Sequence, residues 1–383
     1  MSIATHERDP AAAIDPRYPI RRPDELLSPS LLIFLDHVRR NLDAMIVMAG
    51  GAGRLRPHVK THKMPALVRI AESLGIRKHK CATIAEAEML GASGGSDVLL
   101  AYPIVGPNLA RFARLIRAYP ATIFRATVDH PDSARALSAA VSHLDRPLPV
   151  LIDLDIGMGR TGIEPGDAAF ALYQLIADLP GLEPDGIHAY DGHIRDFDLA
   201  ARRRSAAPGL EAVHRFRDRL LAAGLPVPRL VLGGTPTFPV HAGVATPGVE
   251  CSPGTCVLHD AGYAEKFPDL PFTPAAVLFT RVVSRPRVGR ACLDLGHKAV
   301  AADPVGARLT LLGLPNATLG GQSEEHLVVE APEVDALAPG TPLLAIPTHI
   351  CPTCALHSWA YVLEDGEVVD RWEVKARDRV LGI

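Results

Sequence analysis

An α/β fold, a (β/α)8 TIM-like barrel followed by a mainly β C-terminal domain, is what this sequence predicts. Two observations carry that expectation. From Leu31 to Pro236, short apolar runs alternate with longer segments of helical spacing. Beyond Pro247 the rhythm changes to short strand-like runs divided by Gly, Pro, Asn or Asp. Length agrees, because 383 residues exceed one ordinary core and suit a barrel with an added domain.

Taken in order, Leu31–Asp36 reads as a strand and Val38–Ala49 as a helix. Leu55–Lys60 reads as a strand and Met64–Leu74 as a helix; Val98–Tyr102 and Asn108–Tyr119 repeat the pair, as do Ala121–Val128 and Pro131–Leu144. Pro149–Ile156 is a near-continuous apolar run of the kind buried on both faces, with a helix at Ala168–Leu179 after it. Gly186–Tyr190 and Leu230–Gly233 are two later strands, separated by an Arg- and Ala-rich helix. Regular βα alternation over about eight units predicts a closed parallel barrel. After it, Val277–Ser284, Ala291–Leu295, Arg308–Leu312, His326–Val329, Leu343–Ile346, Tyr361–Leu363 and Val368–Val374 read as strands, with a hairpin turn at Glu364-Asp-Gly-Glu367. The expected division is a barrel over 25–250 and a β domain over 251–383. Residues 1–24 are expected to be an N-terminal extension, part of it pairing with the β domain.

Composition narrows the function. Hydrophobic residues make up 48% and charged residues 22%, enough for a large core and against disorder. A net charge of −3 offers no concentrated positive surface, so neither nucleic acid nor an anionic membrane is an expected partner. Six cysteines in a chain of this length are not a disulfide framework. Met1–Pro23 is polar, without a secretory apolar core, and no stretch reaches the length of a membrane span. A cytoplasmic protein is expected.

Five segments carry chemistry. In Arg56-Pro-His-Val-Lys-Thr-His-Lys63, Lys60 falls at the C-terminal end of an expected barrel strand, where barrels place reactive groups. Such a lysine is a candidate Schiff-base nucleophile; the plainer reading is a solvated basic loop. In Leu232-Gly-Gly-Thr-Pro-Thr237, Gly233 and Gly234 would let backbone N–H groups approach an anion, and Thr235 adds a hydroxyl; the plainer reading is a turn. In Thr348-His-Ile-Cys-Pro-Thr-Cys354, His349 and Cys351 lie two apart and would share one face of an extended strand. An imidazole and a thiolate suit zinc or another borderline metal. A four-ligand site with Cys354 and His357 is set aside, since nine residues leave little chain to wrap a tetrahedron. In Val150–Gly162, an apolar strand runs into Asp153, Asp155 and Arg160, the last a candidate for bonding a ring oxygen of a cofactor. In Gly186–His193, Tyr190 and His193 follow a strand end, and His193 is a candidate to move a proton near neutral pH. His188 and His193 can equally be ordinary hydrogen-bonded residues.

Together these segments resemble the fold-type III pyridoxal-phosphate enzymes of the D-threonine aldolase and D-serine dehydratase group, related to alanine racemase. The most specific pieces are Pro57-His-Val-Lys-Thr-His-Lys63 and Pro347-Thr-His-Ile-Cys-Pro-Thr353. Gly157–Gly162, Gly233–Pro236, Ser252–Thr255, Asp294–Lys298 and Ser323–His326 add ordered matches. The resemblance implies that Lys60 bonds pyridoxal 5'-phosphate, that Arg160 and Tyr190 line its pocket, and that Gly233, Gly234 and Thr235 hold its phosphate. It implies a divalent metal on His349 and Cys351, zinc or manganese with magnesium a further option, and a homodimer. The activity it implies is cleavage of a D-β-hydroxy amino acid to glycine and an aldehyde, with Lys60 and His193 as catalytic groups. Dehydration of D-serine or D-threo-3-hydroxyaspartate to a keto acid and ammonia is the alternative. The His349-Ile-Cys351 pattern leans toward it, because aldolases of this group carry an aspartate in place of that cysteine. A racemase would have no use for the metal ligands, nor would a non-catalytic cofactor-binding protein.

Overall fold

A computed structural model describes residues 15–383. The part of the expected N-terminal extension before residue 15 lies outside the described residues. The chain divides into two compact units, one of Leu42–Cys256 with Lys375–Ile383, the other of Val257–Val374 with the chain up to Asn41. The first strand, β1 (Ser30–Phe34), runs into helix α1 (Leu35–Ala49).

The barrel unit holds seven parallel strands in sequential order: β2 (Lys78–Cys81), β3 (Asp97–Leu100), β4 (Ile123–Val128), β5 (Leu148–Leu154), β6 (Leu182–Ala189), β7 (Leu230–Leu232) and β8 (Val249–Cys251). Helices α2 (Pro65–Ser73), α3 (Ile84–Ala92), α4 (Asn108–Ala118), α5 (Pro131–Val141), α6 (Asp167–Asp178), α7 (Leu199–Ala222) and α8 (Phe238–Ala242) belong to the same unit. The sequence predicts an eighth strand at Leu55–Lys60; the structure shows single parallel bridges there, Leu55 to Cys251 and His58 to Lys80. Arg56 N donates to Cys251 O, His58 N to Pro253 O and Lys80 N to Pro57 O, at 2.9, 2.8 and 2.8 Å. Pro57 has no N–H to extend the ladder, and the chain turns into a 3-10 turn at Val59–Thr61. This short stave joins β8 to β2 and completes the ring.

The barrel interior is layered. Leu99, Leu151 and Val231, from alternate strands β3, β5 and β7, form one fully buried apolar layer. Alternation puts Asp97 two residues to one side of Leu99 and Ala101 two to the other. On the Asp97 side lies a buried ion network. Arg56 pairs with Asp97 and Glu250, Arg125 with Asp97 and Asp185, Arg229 with Asp185, and Lys78 with Glu250. On the other side lie the reactive residues described below.

In the β unit, helix α9 (Ala261–Lys266) precedes β9 (Ala276–Arg287), β10 (Arg290–Leu293), β11 (Leu309–Leu312), β12 (Thr318–Gln322), β13 (Leu327–Glu330) and β14 (Pro342–Pro347). Helix α10 (Ile350–Leu356), β15 (Trp359–Glu364) and β16 (Glu367–Glu373) follow. The sheet order is β12-β13-β10-β9-β1-β15-β16, with β14 also on β9 and β11 on β14. β1 therefore differs from its expected place in the barrel: it pairs with β9 and β15. All five of its residues are buried, a pattern that fits a central strand of either sheet. Tyr18 and Ile20 bury against Leu32, Phe34, Phe279 and Leu363 in the same core. Among the described residues, no helix is long and apolar enough to cross a membrane.

Candidate active site

The C-terminal ends of the barrel strands open onto a cavity of about 460 Å³, lined among others by Lys60, Lys80, Asp153, Arg160, His188 and Tyr190. That volume lies within the range of small-molecule sites. A second cavity of about 490 Å³, within Gly306–Leu327 of the β unit, gathers none of the reactive residues.

Tyr190, just past β6, is the centre of the first cavity. Its ring centroid lies 6.0 Å from the Lys60 amine, 5.7 Å from the Lys80 amine and 5.3 Å from the Arg160 guanidinium carbon. Lys60 and Arg160 beside one aromatic ring make an electropositive pocket suited to an anionic, planar ligand. Arg160 rides on a loop whose turn is held by Asp155, which accepts from the backbone of Gly157 and Gly159 at 2.9 and 3.1 Å.

The cavity wall carries a relay of three side chains. His188 Nδ1 lies 2.6 Å from Asp153 Oδ1, and Thr161 Oγ1 donates to Asp153 Oδ2 at 3.2 Å. The carboxylate accepts a hydrogen bond from Nδ1–H, which leaves Nε2 as the acceptor facing Lys80 Nζ at 3.5 Å. Burial, followed by the charge of Lys60, pushes the Lys80 amine down to about 7. His188 is held below the usual histidine value by burial, which outweighs the opposing pull of Asp153. His58 is pushed well down by burial and by Lys60.

The glycine-rich segment follows β7. Gly233 adopts φ +68°, and its N–H donates to Ala189 O at 3.0 Å. A Cβ on Gly234 would stand 2.9 Å from Tyr190 Cε2, so the backbone and the ring pack as closely as glycine alone permits. Thr235 Oγ1 accepts from the amides of Gly254 and Thr255 at 3.2 and 3.1 Å. Thr237 Oγ1 and His241 Nε2 both bind Asp191, each at 2.7 Å, and brace the turn from behind.

The structure thus gathers Lys60, Arg160 and Tyr190 around one cavity and sets Gly234 against the same tyrosine. His193 lies outside the named lining. It is exposed, and its ring sits over Gly157, where an added Cβ would come within 2.9 Å of Nε2. Lys80 was not singled out from the sequence. Its run, Lys78-His-Lys-Cys81, is polar at three consecutive positions, which hides a strand from any search for apolar residues.

His349 and Cys351 belong to the β unit. The extended strand expected for them is corrected: β14 ends at Pro347, His349 caps α10 and Cys351 lies in its first turn. Thr353 Oγ1 donates to His349 O at 2.8 Å, which closes that turn. Cys351 nonetheless acts on the His349 imidazole and favours its charged form. Asp303, unforeseen in the sequence, lies 2.6 Å from His349 Nδ1. Burial opposes a charge on the imidazole, but Cys351 and Asp303 outweigh it and push His349 up to about 9. His357 Nε2 is turned to Ala299 O at 2.8 Å, and Cys354 is buried. Among the described residues, no three His, Cys, Asp or Glu side chains converge as a metal cluster.

Comparison with known proteins agrees with the motifs. Residues 33–258 match the alanine racemase N-terminal domain family, and residues 275–363 match a serine dehydratase domain. A D-threonine aldolase of Arthrobacter sp is 31% identical, over 94% of this chain and 95% of that protein. A 3-hydroxy-D-aspartate aldolase of Paracoccus denitrificans (strain Pd 1222) is 29% identical over 95% of each. A D-threo-3-hydroxyaspartate dehydratase of Delftia sp. (strain HT23) is 26% identical over 90% of this chain and 96% of that one. The crystal structure of a D-threonine aldolase from Filomicrobium marinum superposes with a TM-score of 0.86 at 31% identity, covering 94% of this chain and 98% of that chain. With a racemase-type barrel, a dehydratase-type β unit and aldolases matched almost end to end, the chain belongs to the alanine racemase N-terminal domain family, within its D-threonine aldolase group of lyases.

Proposed function

We propose that the chain is a pyridoxal-phosphate- and metal-dependent lyase of the D-threonine aldolase type, cleaving a D-β-hydroxy amino acid to glycine and an aldehyde. The observation that carries this reading is the joint placement of Lys60, Arg160 and Tyr190 on one electropositive cavity. A reactive amine, an aromatic wall and excess positive charge fit a planar phosphorylated aldehyde. Lys60 would hold that cofactor covalently, Arg160 and Tyr190 would flank its ring, and Gly233, Gly234 and Thr235 would hold its phosphate. When bound, it supplies an electron sink for charge that develops at the substrate Cα.

The chain's own groups divide the remaining work. Asp153 fixes the tautomer of His188, so that Nε2 can take and return a proton within the cavity. His193, on the loop after β6, is the proposed acceptor of the substrate's β-hydroxyl proton. His349 and Cys351 would hold the divalent metal, zinc or manganese, with magnesium a further option. The donor set fits, since Asp303 on Nδ1 orients the imidazole as carboxylates do behind metal-binding histidines. Held there, the metal would supply Lewis-acid chemistry.

One observation favours a dehydratase as the second reading: Cys351 stands where an aspartate would mark an aldolase. A product assay separates the two. D-Threonine, D-serine and D-threo-3-hydroxyaspartate are incubated with the metal-loaded enzyme, with and without a chelator. Glycine and an aldehyde, lost on chelation, are expected. Ammonia and a keto acid would replace the aldolase with the dehydratase, and neither product pair would overturn both. Six cysteines in a chain of this length suit a reducing cytoplasm, and the proposed homodimer is checked by light scattering of the purified protein.

A further inference from the structure

Lys80 has no part in the cofactor and metal assignments, yet its surroundings set it apart from the other amines of the barrel. Lys78 and Lys80 share one face of β2. The Lys78 amine is paired with Glu250 at 2.7 Å, whereas Lys80 makes no ion pair among the described residues. Only 3% of Lys80 is exposed, and it lines the cavity that Lys60 also lines. Arg56, His58 and Lys60 face it from the preceding segment, Asp153 from β5, and His188, Tyr190 and Asp191 from β6 and its continuation. Burial and the cations Lys60 and Arg56 prevail over Asp153 and Asp191, which pushes the amine down to about 7. An amine that is substantially neutral at physiological pH, beside an imidazole that can carry protons, is a nucleophile toward carbonyl carbon.

We propose that Lys80 is a second imine-forming amine of the barrel, one that captures small aldehydes in the cavity it shares with Lys60. The proposal rests on the aldolase reading only for the source of the aldehyde, which that reaction releases as product. The nitrogen lone pair of Lys80 bonds to the carbonyl carbon while one amine proton reaches the carbonyl oxygen by way of His188 Nε2. The resulting hydroxyl then leaves as water with the second amine proton, and the C=N bond forms. Both amine hydrogens and the carbonyl oxygen end in the one water released, and nothing is oxidised or reduced.

An aldehyde group could come from the product or from the cofactor itself, and two arms separate the sources. In the first, holoenzyme is treated at pH 7 with acetaldehyde and cyanoborohydride, which reduces the imine to a stable ethyl adduct read by peptide mass spectrometry. Lys80 should be labelled about tenfold or more faster than exposed Lys266 and Lys298, because a depressed amine is far more often neutral. Its labelling should be half-maximal near pH 7. In the second, a Lys60→Ala variant is incubated with pyridoxal phosphate and borohydride; cofactor attached at Lys80 identifies the cofactor as the aldehyde captured. A Lys80→Met variant that keeps the Lys60-bound cofactor absorbance and loses the ethyl adduct confirms the assignment, with Lys80→Arg as the conservative replacement. Lys80 labelled no faster than the exposed lysines, with no cofactor on it in the second arm, overturns the proposal. Labelled Lys80 in an enzyme that forms no glycine leaves the proposal standing and removes the aldolase reading alone.

Discussion

Replacing Arg56 with methionine tests whether the charged layer of the barrel holds it together. The guanidinium is fully buried; its Nε donates to Glu250 Oε2 at 2.6 Å and its Nη1 to Asp97 Oδ1 at 2.7 Å. Burial alone would raise both carboxyls, yet Arg56 and its neighbours hold Asp97 and Glu250 below the usual carboxylate range. Breaking a buried pair costs about 3–5 kcal/mol, because a charge is left uncompensated. Here neither carboxylate is left without a cation. Asp97 retains Arg125 through two bonds of 2.9 Å, and Glu250 retains Lys78 at 2.7 Å. The loss should therefore fall near the lower end, about 3 kcal/mol at pH 7. The sign of its pH dependence follows. A depressed carboxyl contributes stability above its unfolded value of about 4 and loses it as pH falls through the folded value. In Arg56→Met burial is opposed by fewer cations, so the carboxyls take up protons at higher pH than in wild type as pH falls from 7. The gap to wild type should narrow over that range. Urea unfolding followed by circular dichroism at pH 7 and pH 4.5 measures it, and adding Glu250→Gln should recover part of the loss. A difference under ~1 kcal/mol at pH 7, or one unchanged at pH 4.5, would refute the reasoning.

Asp153→Ala removes the acceptor that fixes the His188 tautomer, so kcat should fall about 10²-fold or more while the cofactor absorbance persists; a fall below threefold counts against the relay. Gly234→Ala drives a Cβ to 2.9 Å from Tyr190 Cε2, and cofactor affinity should drop roughly tenfold by titration of the apoenzyme, at the low end of overpacking costs. His259 is buried with neither ring nitrogen partnered among the described residues, and burial pushes it down to about 4. The unfolded chain binds that proton first, so stability is lost as pH falls from about 6.5 through about 4. His259→Phe should remove that part of the acid-side loss, read as melting temperature between pH 7 and 4.5.

Alternation of apolar runs and helical segments was enough to foretell the barrel and the β unit, because buried parallel strands are near-continuously apolar. β5 is the plainest case, buried along nearly its whole length. The same signal fails for β2 and β8. Their inward positions carry Lys78, Lys80 and Glu250 rather than apolar residues, and Lys78 and Glu250 are held by ion pairs across distant segments. β1 was recognised as a strand but not as part of the β sheet, since five buried residues do not tell which sheet covers them. Lys60, Arg160 and Tyr190 were legible because each follows a strand end, and barrel strand ends point one way. Asp303 was not, because it lies 46 residues before His349 and only the fold brings them together.

The Pro57 stave has a thermodynamic corollary. The β5–β6 pair is tied by seven residue pairings, whereas the ring closes at Leu55–His58 through two isolated bridges. This is a seam, the place where the barrel would unzip first in hydrogen exchange. Lys60 stands two residues past it, and the Gly233 segment lies beyond β8 on its far side. A cofactor gripped at both points would staple the seam shut. Its removal should free the amides of Arg56 and His58 ahead of those in β5, and the melting temperature should then climb with cofactor concentration as mass action requires.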